Sequence, residues 1–419
     1  MKIKTLLLSS VVATGLSTGA MAADLGVLTS LDVCDAVNVT GLTISSSDNC
    51  LQISGGVGFE FVWGDYRGAG AVPAPGVLHP LADNGGVSPL DQDWDLELEG
   101  WLQFVATAES DFGPAKAVIK FETGDYATGT DGALVSSTSA LVVDDLYVAI
   151  GDTTVLMFGD KGSIANSGGD TVYTWTGFYH DDDVRTLDLA TVSTGGNVIQ
   201  VTSDLGNGVD VGLGLEDLAG LGSLVGVINY AGDSLVAHAT FVADDIFTGT
   251  VSTWAIHAGA EVTYDMYKFL VAFGYDDASS NYDLVASAQA TFDMFTLAGS
   301  IGISEVAAVS GLEAGISVSA AVTDTVTVML GANWDDHDTA TATDELWNVE
   351  AGVKAEVTES VTLSGSVGVL GDEATATTVL YGSLKAAWAP GGGFNAAVEL
   401  EGNENGAYSV TTTASKSFK

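Results

Sequence analysis

The sequence predicts an all-β fold: a transmembrane antiparallel up-and-down β-barrel with an even number of strands, roughly 16 to 20. Three observations lead to this prediction. Segments of about ten residues alternate apolar with polar or small side chains. Their connections alternate between short turns and longer acidic loops, and aromatic residues lie near the segment ends. Together these features are typical of barrels that cross an outer membrane.

Residues 347–357 show the alternation most clearly. Every odd position from Trp347 to Val357 is apolar. The even positions carry polar, charged or small residues: Asn348, Glu350, Gly352, Lys354 and Glu356. Since successive side chains of a strand point to opposite faces, one face is apolar and the other is charged. The apolar face would cover a core in a soluble sheet, or face lipid in a barrel with a polar lumen.

The alternation of turn lengths favours the barrel, because a soluble sandwich gives no reason for it. Turns such as Asp265-Met266 and Asp293-Met294 are short, whereas the acidic connection over 335–345 is long. Aromatic residues near segment ends match the interfacial girdles of a barrel. They are Tyr264, Tyr267, Phe292, Phe295, Trp334, Trp347, Trp388 and Phe394.

Residues 94–104 form an apolar and acidic segment whose polar face holds Asp95, Glu97 and Glu99. Three carboxylates on one face would repel in a dry core, but a wet lumen tolerates them. The next segment, 115–122, carries three charged side chains on its polar face: Lys116, Lys120 and Glu122. We expect the two lysines to form a cross-strand charge ladder with the glutamates, and we expect a loop over 123–138.

The first 22 residues have the organisation of a signal peptide. Lys2 and Lys4 precede an apolar run, and Ala20-Met21-Ala22 forms an A-x-A cleavage site, so we expect export and a mature chain that begins at Ala23. Beyond this segment no apolar run is long enough to span a bilayer as a helix.

The charge balance excludes nucleic acid as a partner. The chain carries 12 basic and 55 acidic residues, a formal net charge of −43, whereas phosphate binding needs clustered Lys and Arg.

Residues 23–50 are predicted to form an N-terminal segment closed by a disulfide, with the barrel over 51–419. The chain has two cysteines, Cys34 and Cys50, and in an exported protein a pair this close is typical of a disulfide. Closing a loop of this size stabilises the fold by about 3 kcal/mol in the chain-entropy model.

Two passages carry a family resemblance. Cys34-Asp35-Ala36, followed by the run from Asp48-Asn49-Cys50 to Gly55, resembles the N-terminal signature of alphaproteobacterial porins of the rhizobial and Brucella type. The end, Ala414-Ser415-Lys416-Ser417-Phe418, resembles the terminal aromatic strand that the outer-membrane assembly machinery recognises. The resemblance implies an outer-membrane location in a Gram-negative bacterium, contact with lipid and lipopolysaccharide, and a homotrimeric general-diffusion pore of about sixteen strands. Three features depart from the family: Lys419 follows the terminal aromatic, the segment count exceeds sixteen, and only two arginines occur.

In such porins the third external loop folds into the pore, and here residues 160–185 occupy that place. This long stretch lacks a strand pattern, and loops of this length are usually functional or disordered. We expect it to form an acidic constriction containing Asp160, Asp170, Asp181, Asp182 and Asp183.

The functional prediction is passive diffusion of small hydrophilic solutes, with a preference for cations because rings of carboxylates favour them. The predicted lumen wall consists of Asp95, Glu97, Glu99, Lys116, Lys120, Glu122, Arg185, Glu350, Glu356 and Glu399. A solute-specific channel on the same barrel is one alternative. A surface-layer or adhesin protein is another, although it would need repeats, and none are found.

No catalytic, cofactor or metal-binding pattern is recognised, so no enzymatic activity is expected. The five histidines, His79, His180, His238, His257 and His337, show no ligand spacing and are interpreted as incidental. Loose binding of Ca²⁺ by the acidic loops is kept as an alternative.

Overall fold

The protein forms one large closed sheet with little helix. The computed structural model describes residues 31–66, 92–130, 133–165, 170–177, 195–306, 309–338, 345–373 and 376–419. The predicted signal peptide lies outside these ranges. Among the described residues, no helix combines the length and hydropathy needed to cross a bilayer.

The described residues contain one short α-helix, α1 (Leu31–Ala36), a 3-10 turn at Ile246–Thr248, and twenty-one strands. The strands are β1 (Leu42–Ser45), β2 (Cys50–Asp65), β3 (Asp93–Ala108), β4 (Ala115–Thr130), β5 (Ala133–Gly151), β6 (Thr154–Lys161), β7 (Gly196–Gly206), β8 (Val209–Glu216), β9 (Ser223–Ala231), β10 (Leu235–Asp244), β11 (Trp254–Tyr264), β12 (Tyr267–Asp276), β13 (Asn281–Phe292), β14 (Phe295–Val306), β15 (Val309–Thr323), β16 (Val326–Asp338), β17 (Glu345–Thr358), β18 (Val361–Asp372), β19 (Thr377–Gly391), β20 (Phe394–Asn403) and β21 (Tyr408–Phe418).

Strands β2 to β21 close into an antiparallel barrel of twenty strands. Each strand pairs with its neighbours in the sequence, and the last strand pairs with β2 from Gly55↔Phe418 to Asp65↔Tyr408. The prediction of an all-β up-and-down barrel with an even strand number is confirmed. The count of about sixteen implied by the family resemblance is wrong, because twenty strands complete the circuit.

The apolar faces of the strands point away from the interior. Along β12, Phe269, Val271 and Phe273 are 50%, 48% and 39% exposed, whereas the alternating Leu270 and Ala272 are buried. The same parity holds on β17, where Val349, Val353 and Val357 are exposed. Since no second sheet covers these side chains in the described part of the chain, they form the surface that meets lipid.

The aromatic residues predicted to form girdles lie on this outward face. Tyr264 pairs with Tyr267 across one short turn, and Phe292 pairs with Phe295 across another. The rings of Trp388 and Phe394 pack edge to face at a third turn, with their centroids 5.5 Å apart. The amphipathic rings of tyrosine and tryptophan at strand ends suit the boundary between lipid and water.

The N-terminal segment attaches beside the seam of the barrel. Strand β1 pairs with the first four residues of β2, from Leu42↔Ile53 to Ser45↔Cys50. A disulfide joins Cys34, on α1, to Cys50, whose side chain is fully buried. The predicted Cys34–Cys50 pairing is confirmed.

Two local predictions are wrong. Residues 123–138 do not form a loop, because β4 and β5 continue through most of them as one long hairpin. The Ser- and Thr-rich composition of this hairpin hides its alternation. The charge ladder also fails, since the register places Glu97 opposite Tyr126 and Lys120 opposite Gln103.

Candidate functional site

A segment that follows β6 lies inside the barrel against its inner wall. Its described parts are residues 162–165 and 170–177, which we call the inner segment. It contacts inward-facing residues of eleven consecutive strands, from Gln200 on β7 to Gly352 on β17. The described residues of this segment therefore lie against about half of the twenty-stranded wall.

The start of the inner segment is fixed by a buried polar cluster on β7 and β8. Glu216 accepts hydrogen bonds from the backbone N–H of Ile164 and from Gln200 Nε2, both at 2.9 Å. Gln200 Nε2 also donates to the carbonyl oxygen of Gly162 at 3.0 Å. These hydrogen bonds offset part of the free-energy cost of burying the Glu216 carboxylate and the Gln200 amide.

Small apolar side chains supply packing under the inner segment. Ile164 and Ala165 pack against Val225, Val242 and Ala255 on three neighbouring strands. These valines and alanines point inward, so they depart from the polar lining of an open lumen, and contact with the inner segment accounts for them.

Further along, hydroxyl and amide side chains bind the backbone of the inner segment. The N–H of Tyr173 donates to Ser287 Oγ and the N–H of Trp175 donates to Ser317 Oγ, each at 2.9 Å. Asn333 Nδ2 donates to the carbonyl oxygen of Thr176 at 3.1 Å. The three wall residues lie on β13, β15 and β16. Successive residues of the inner segment therefore contact successive strands of the wall.

Trp175 lies over a glycine. A Cβ atom placed on Gly352 would come within 2.6 Å of the indole ring. Glycine at this position therefore allows the close approach of ring and wall.

Asp170 contacts two histidines of adjacent strands. Its Oδ2 lies 2.9 Å from His257 Nε2 and 3.1 Å from His238 Nε2. Burial by itself would raise the pKa of Asp170, but the two neighbouring imidazoles outweigh it and hold the pKa below its usual range.

Tyr173 connects the inner segment to β11. Its hydroxyl donates to Glu261 Oε2 at 2.7 Å, and Lys268 Nζ lies 3.4 Å from the other carboxylate oxygen. Burial and the Glu261 carboxylate raise the pKa of Tyr173, so the phenol stays a neutral donor.

The opposite half of the wall carries a group of carboxylates on β2 and β3. Glu60 lies directly opposite Glu97 in the register, and Glu99 follows two residues further on the same face. Tyr126 Oη donates to Glu99 Oε1 at 2.5 Å. We call Glu60, Asp95, Glu97 and Glu99 the acidic wall; Asp95 is held by the Tyr66 hydroxyl at 2.8 Å.

Two lysines lie beside the acidic wall, each paired with acids. Lys120 Nζ lies 2.5 Å from Glu122 and 2.7 Å from Asp144. Lys385 Nζ lies 2.8 Å from Glu399. The lysines thus neutralise other carboxylates rather than the acidic wall as a whole.

The structure places the other predicted site residues as follows. Asp160 is not part of the loop, because the strand pairing of β6 extends to Lys161. Asp160 lies opposite Leu146, whose side chain is exposed on the outward face.

Three predicted lumen-wall residues lie on β4 and β17. Glu350 accepts a hydrogen bond from Tyr381 Oη at 2.9 Å. Lys116 and Glu356 occupy inward-facing positions of β4 and β17. The predicted residues that lie outside the described residues are Asp181, Asp182, Asp183 and Arg185.

Sequence reasoning missed His238, His257, Glu261 and Glu60. The strand parity could have assigned all four to the inward face. Contact between the two histidines and Asp170 depends on the path of the inner segment, however, and no local pattern records that path.

Comparison with known proteins identifies a family. A family model described as "Porin subfamily" matches residues 30–418. No curated protein matches the sequence. Solved structures with a similar chain course include a mutant of the porin of Rh. blastica (12% identity, TM-score 0.38) and an anion-selective porin from Comamonas acidovorans (12%, 0.38), each covering 88% of this chain and 100% of its own. A loop-deletion mutant of an outer membrane protein of Vibrio cholerae has 10% identity and a TM-score of 0.39, with 89% and 100% covered.

Proposed function

Since the chain belongs to the Porin subfamily, a family of outer-membrane channels in Gram-negative bacteria, we propose that it lets small polar solutes diffuse passively through the interior of its barrel. The inner segment covers one half of the wall, and solutes pass between it and the acidic wall. The contacts of the inner segment with eleven consecutive strands support its role as the constriction.

The acidic wall is the observation that carries the second part of the proposal, a preference for cations. Four carboxylates, Glu60, Asp95, Glu97 and Glu99, lie on two adjacent strands. The nearby lysines, Lys120 and Lys385, contact other acids. A pore wall with an excess of carboxylates attracts cations and repels anions.

The test is the reversal potential of single channels in a planar bilayer under a KCl gradient. The wild type is expected to give the sign of a potassium-selective pore, and E97Q/E99Q is expected to move the potential toward zero. The matched control is D265N/D293N, which removes the same charge from two short turns. Both aspartates have positive φ, a conformation that asparagine also adopts.

An anion-selective sign in the wild type would contradict the proposal, and so would an equal shift in both double variants. The potential distinguishes ion preference from the pore itself, because any measured conductance shows that a channel exists.

We also propose that the pore assembles as a homotrimer, as the resemblance to general porins implies. Mass measurement of the detergent-solubilised complex by light scattering tests this: about three times the mass of one chain is expected. Saturable block of the current by one solute would instead favour a solute-specific channel.

A further inference from the structure

Three metal-ligating side chains converge where the inner segment crosses β10 and β11. One ligand atom from each of Asp170, His238 and His257 lies within 4.8 Å of the other two, and Asp170 Oδ2 faces the Nε2 atoms of both histidines. His257 is fully buried, and the side chains of His238 and Asp170 are 10% and 7% exposed. None of these three residues belongs to the acidic wall.

Hydrogen bonding does not fully account for this arrangement. His257 Nε2 makes a hydrogen bond to Asp170 Oδ2 at 2.9 Å. His238 Nε2 lies 3.1 Å from the same oxygen, yet this buried nitrogen has no hydrogen-bond partner among the described residues. A buried nitrogen that faces a carboxylate without a hydrogen bond requires another explanation.

A bound metal ion supplies one. Zinc binds His nitrogen and Asp oxygen at about 2.0 to 2.2 Å, so tetrahedral ligand atoms stand about 3.3 Å apart. The two nitrogen-to-oxygen separations of 2.9 and 3.1 Å need only a small opening to reach this spacing. Three protein ligands leave a fourth position for water.

We propose that Asp170, His238 and His257 form a binding site for a divalent transition-metal ion, with zinc as the ion that this ligand set suits best. Two imidazoles select zinc, copper or nickel over the hard cations Ca²⁺ and Mg²⁺, which prefer oxygen ligands. Two neutral imidazole ligands and one carboxylate together carry a single negative charge. A bound cation therefore offsets the free-energy cost of burying that carboxylate.

The site joins separate parts of the chain. Asp170 belongs to the inner segment, whereas His238 and His257 belong to β10 and β11. A metal ion held by all three cross-links the inner segment to the wall. Its occupancy does not depend on which solute or ion the pore conducts.

Zinc binding by the full chain, folded in detergent and freed of metal by a chelator, tests the proposal. Titration with ZnCl₂, followed by metal analysis after dialysis, is expected to give one tightly bound zinc per chain. D170N and H238Q are each expected to weaken that binding at least tenfold, and H337Q, which changes a histidine on β16 outside the cluster, is expected to leave it unchanged. Millimolar CaCl₂ is expected not to displace the zinc.

Cobalt provides a second measurement, since Co²⁺ in a tetrahedral site gives visible absorption that weak carboxylate binding does not. Absence of tight zinc binding in the wild type would overturn the proposal. Binding that persists in both D170N and H238Q, or that calcium displaces, would also overturn it. Heat-modifiable migration on a gel confirms that each variant is folded. If D170N does not fold, the zinc affinity of H238Q, which changes the less buried ligand, tests the proposal.

Discussion

Ser317→Ala should loosen the inner segment without disturbing the barrel. Ser317 is 6% exposed, and its Oγ accepts the backbone N–H of Trp175 at 2.9 Å. Alanine keeps the small side chain but removes the acceptor, which leaves that N–H without its partner. The loss of a partner for such a group costs about 1 to 3 kcal/mol.

Hydrogen exchange followed by mass spectrometry measures this loss directly. Each 1.4 kcal/mol corresponds to a tenfold change in an equilibrium constant, so exchange in a peptide covering Trp175 should accelerate about 5- to 150-fold. Ser366→Ala is the matched control, because Ser366 Oγ hydrogen-bonds Ser383 Oγ at 2.9 Å on the neighbouring strand. Equal protection of that peptide in Ser317→Ala and wild type would refute the assigned contact, and so would the same loss in Ser366→Ala.

Three other predictions concern packing, covalent closure and lumen charge. Gly352→Ala should force the inner segment into the lumen and lower the single-channel conductance, because its Cβ would lie 2.6 Å from the indole above it; Gly226→Ala, at a position with nothing within 4 Å, should leave the conductance unchanged. The Cys34→Ala/Cys50→Ala variant should lose about 3 kcal/mol of stability and convert to the heat-denatured gel form at lower temperature, whereas a reductant should affect only the wild type. Lys120→Met should shift the reversal potential further toward cation preference, because it removes the positive charge held 2.5 and 2.7 Å from two carboxylates; an unchanged potential would place that lysine away from the ion path.

Local alternation allowed the faces of the strands to be predicted from the sequence. On β17, the apolar odd positions point outward and the even positions, including Glu350, point inward. A strand in a water-filled barrel has lipid on one side and water on the other. Apolar and polar residues therefore alternate clearly along its sequence. The pattern fades in the β4–β5 hairpin around residue 130, where serine and threonine occupy both faces.

The path of the inner segment was not predictable in the same way. Its attachment to Ser287, Ser317 and Asn333 joins residues separated by 114 or more positions. Single serines on inward-facing positions are compatible equally with solvent and with a bound backbone. The same limitation explains why His238 and His257 were interpreted as incidental: each lies alone in its strand, and only the fold brings Asp170 between them.

The short strand β1 has a consequence for how the circle of strands is completed during assembly. It occupies the edge of β2 from Cys50 to Ile53, and the final strand takes the same edge from Gly55 onward. Strand β21 therefore cannot extend its pairing toward Cys50, because β1 already occupies that part of the β2 edge. The disulfide between Cys34 and Cys50 ties the N-terminal segment to β2. A slip of one residue toward Cys50 would turn every lipid-facing side chain of β21 toward water. Strand β1 therefore prevents this error in register when the barrel closes.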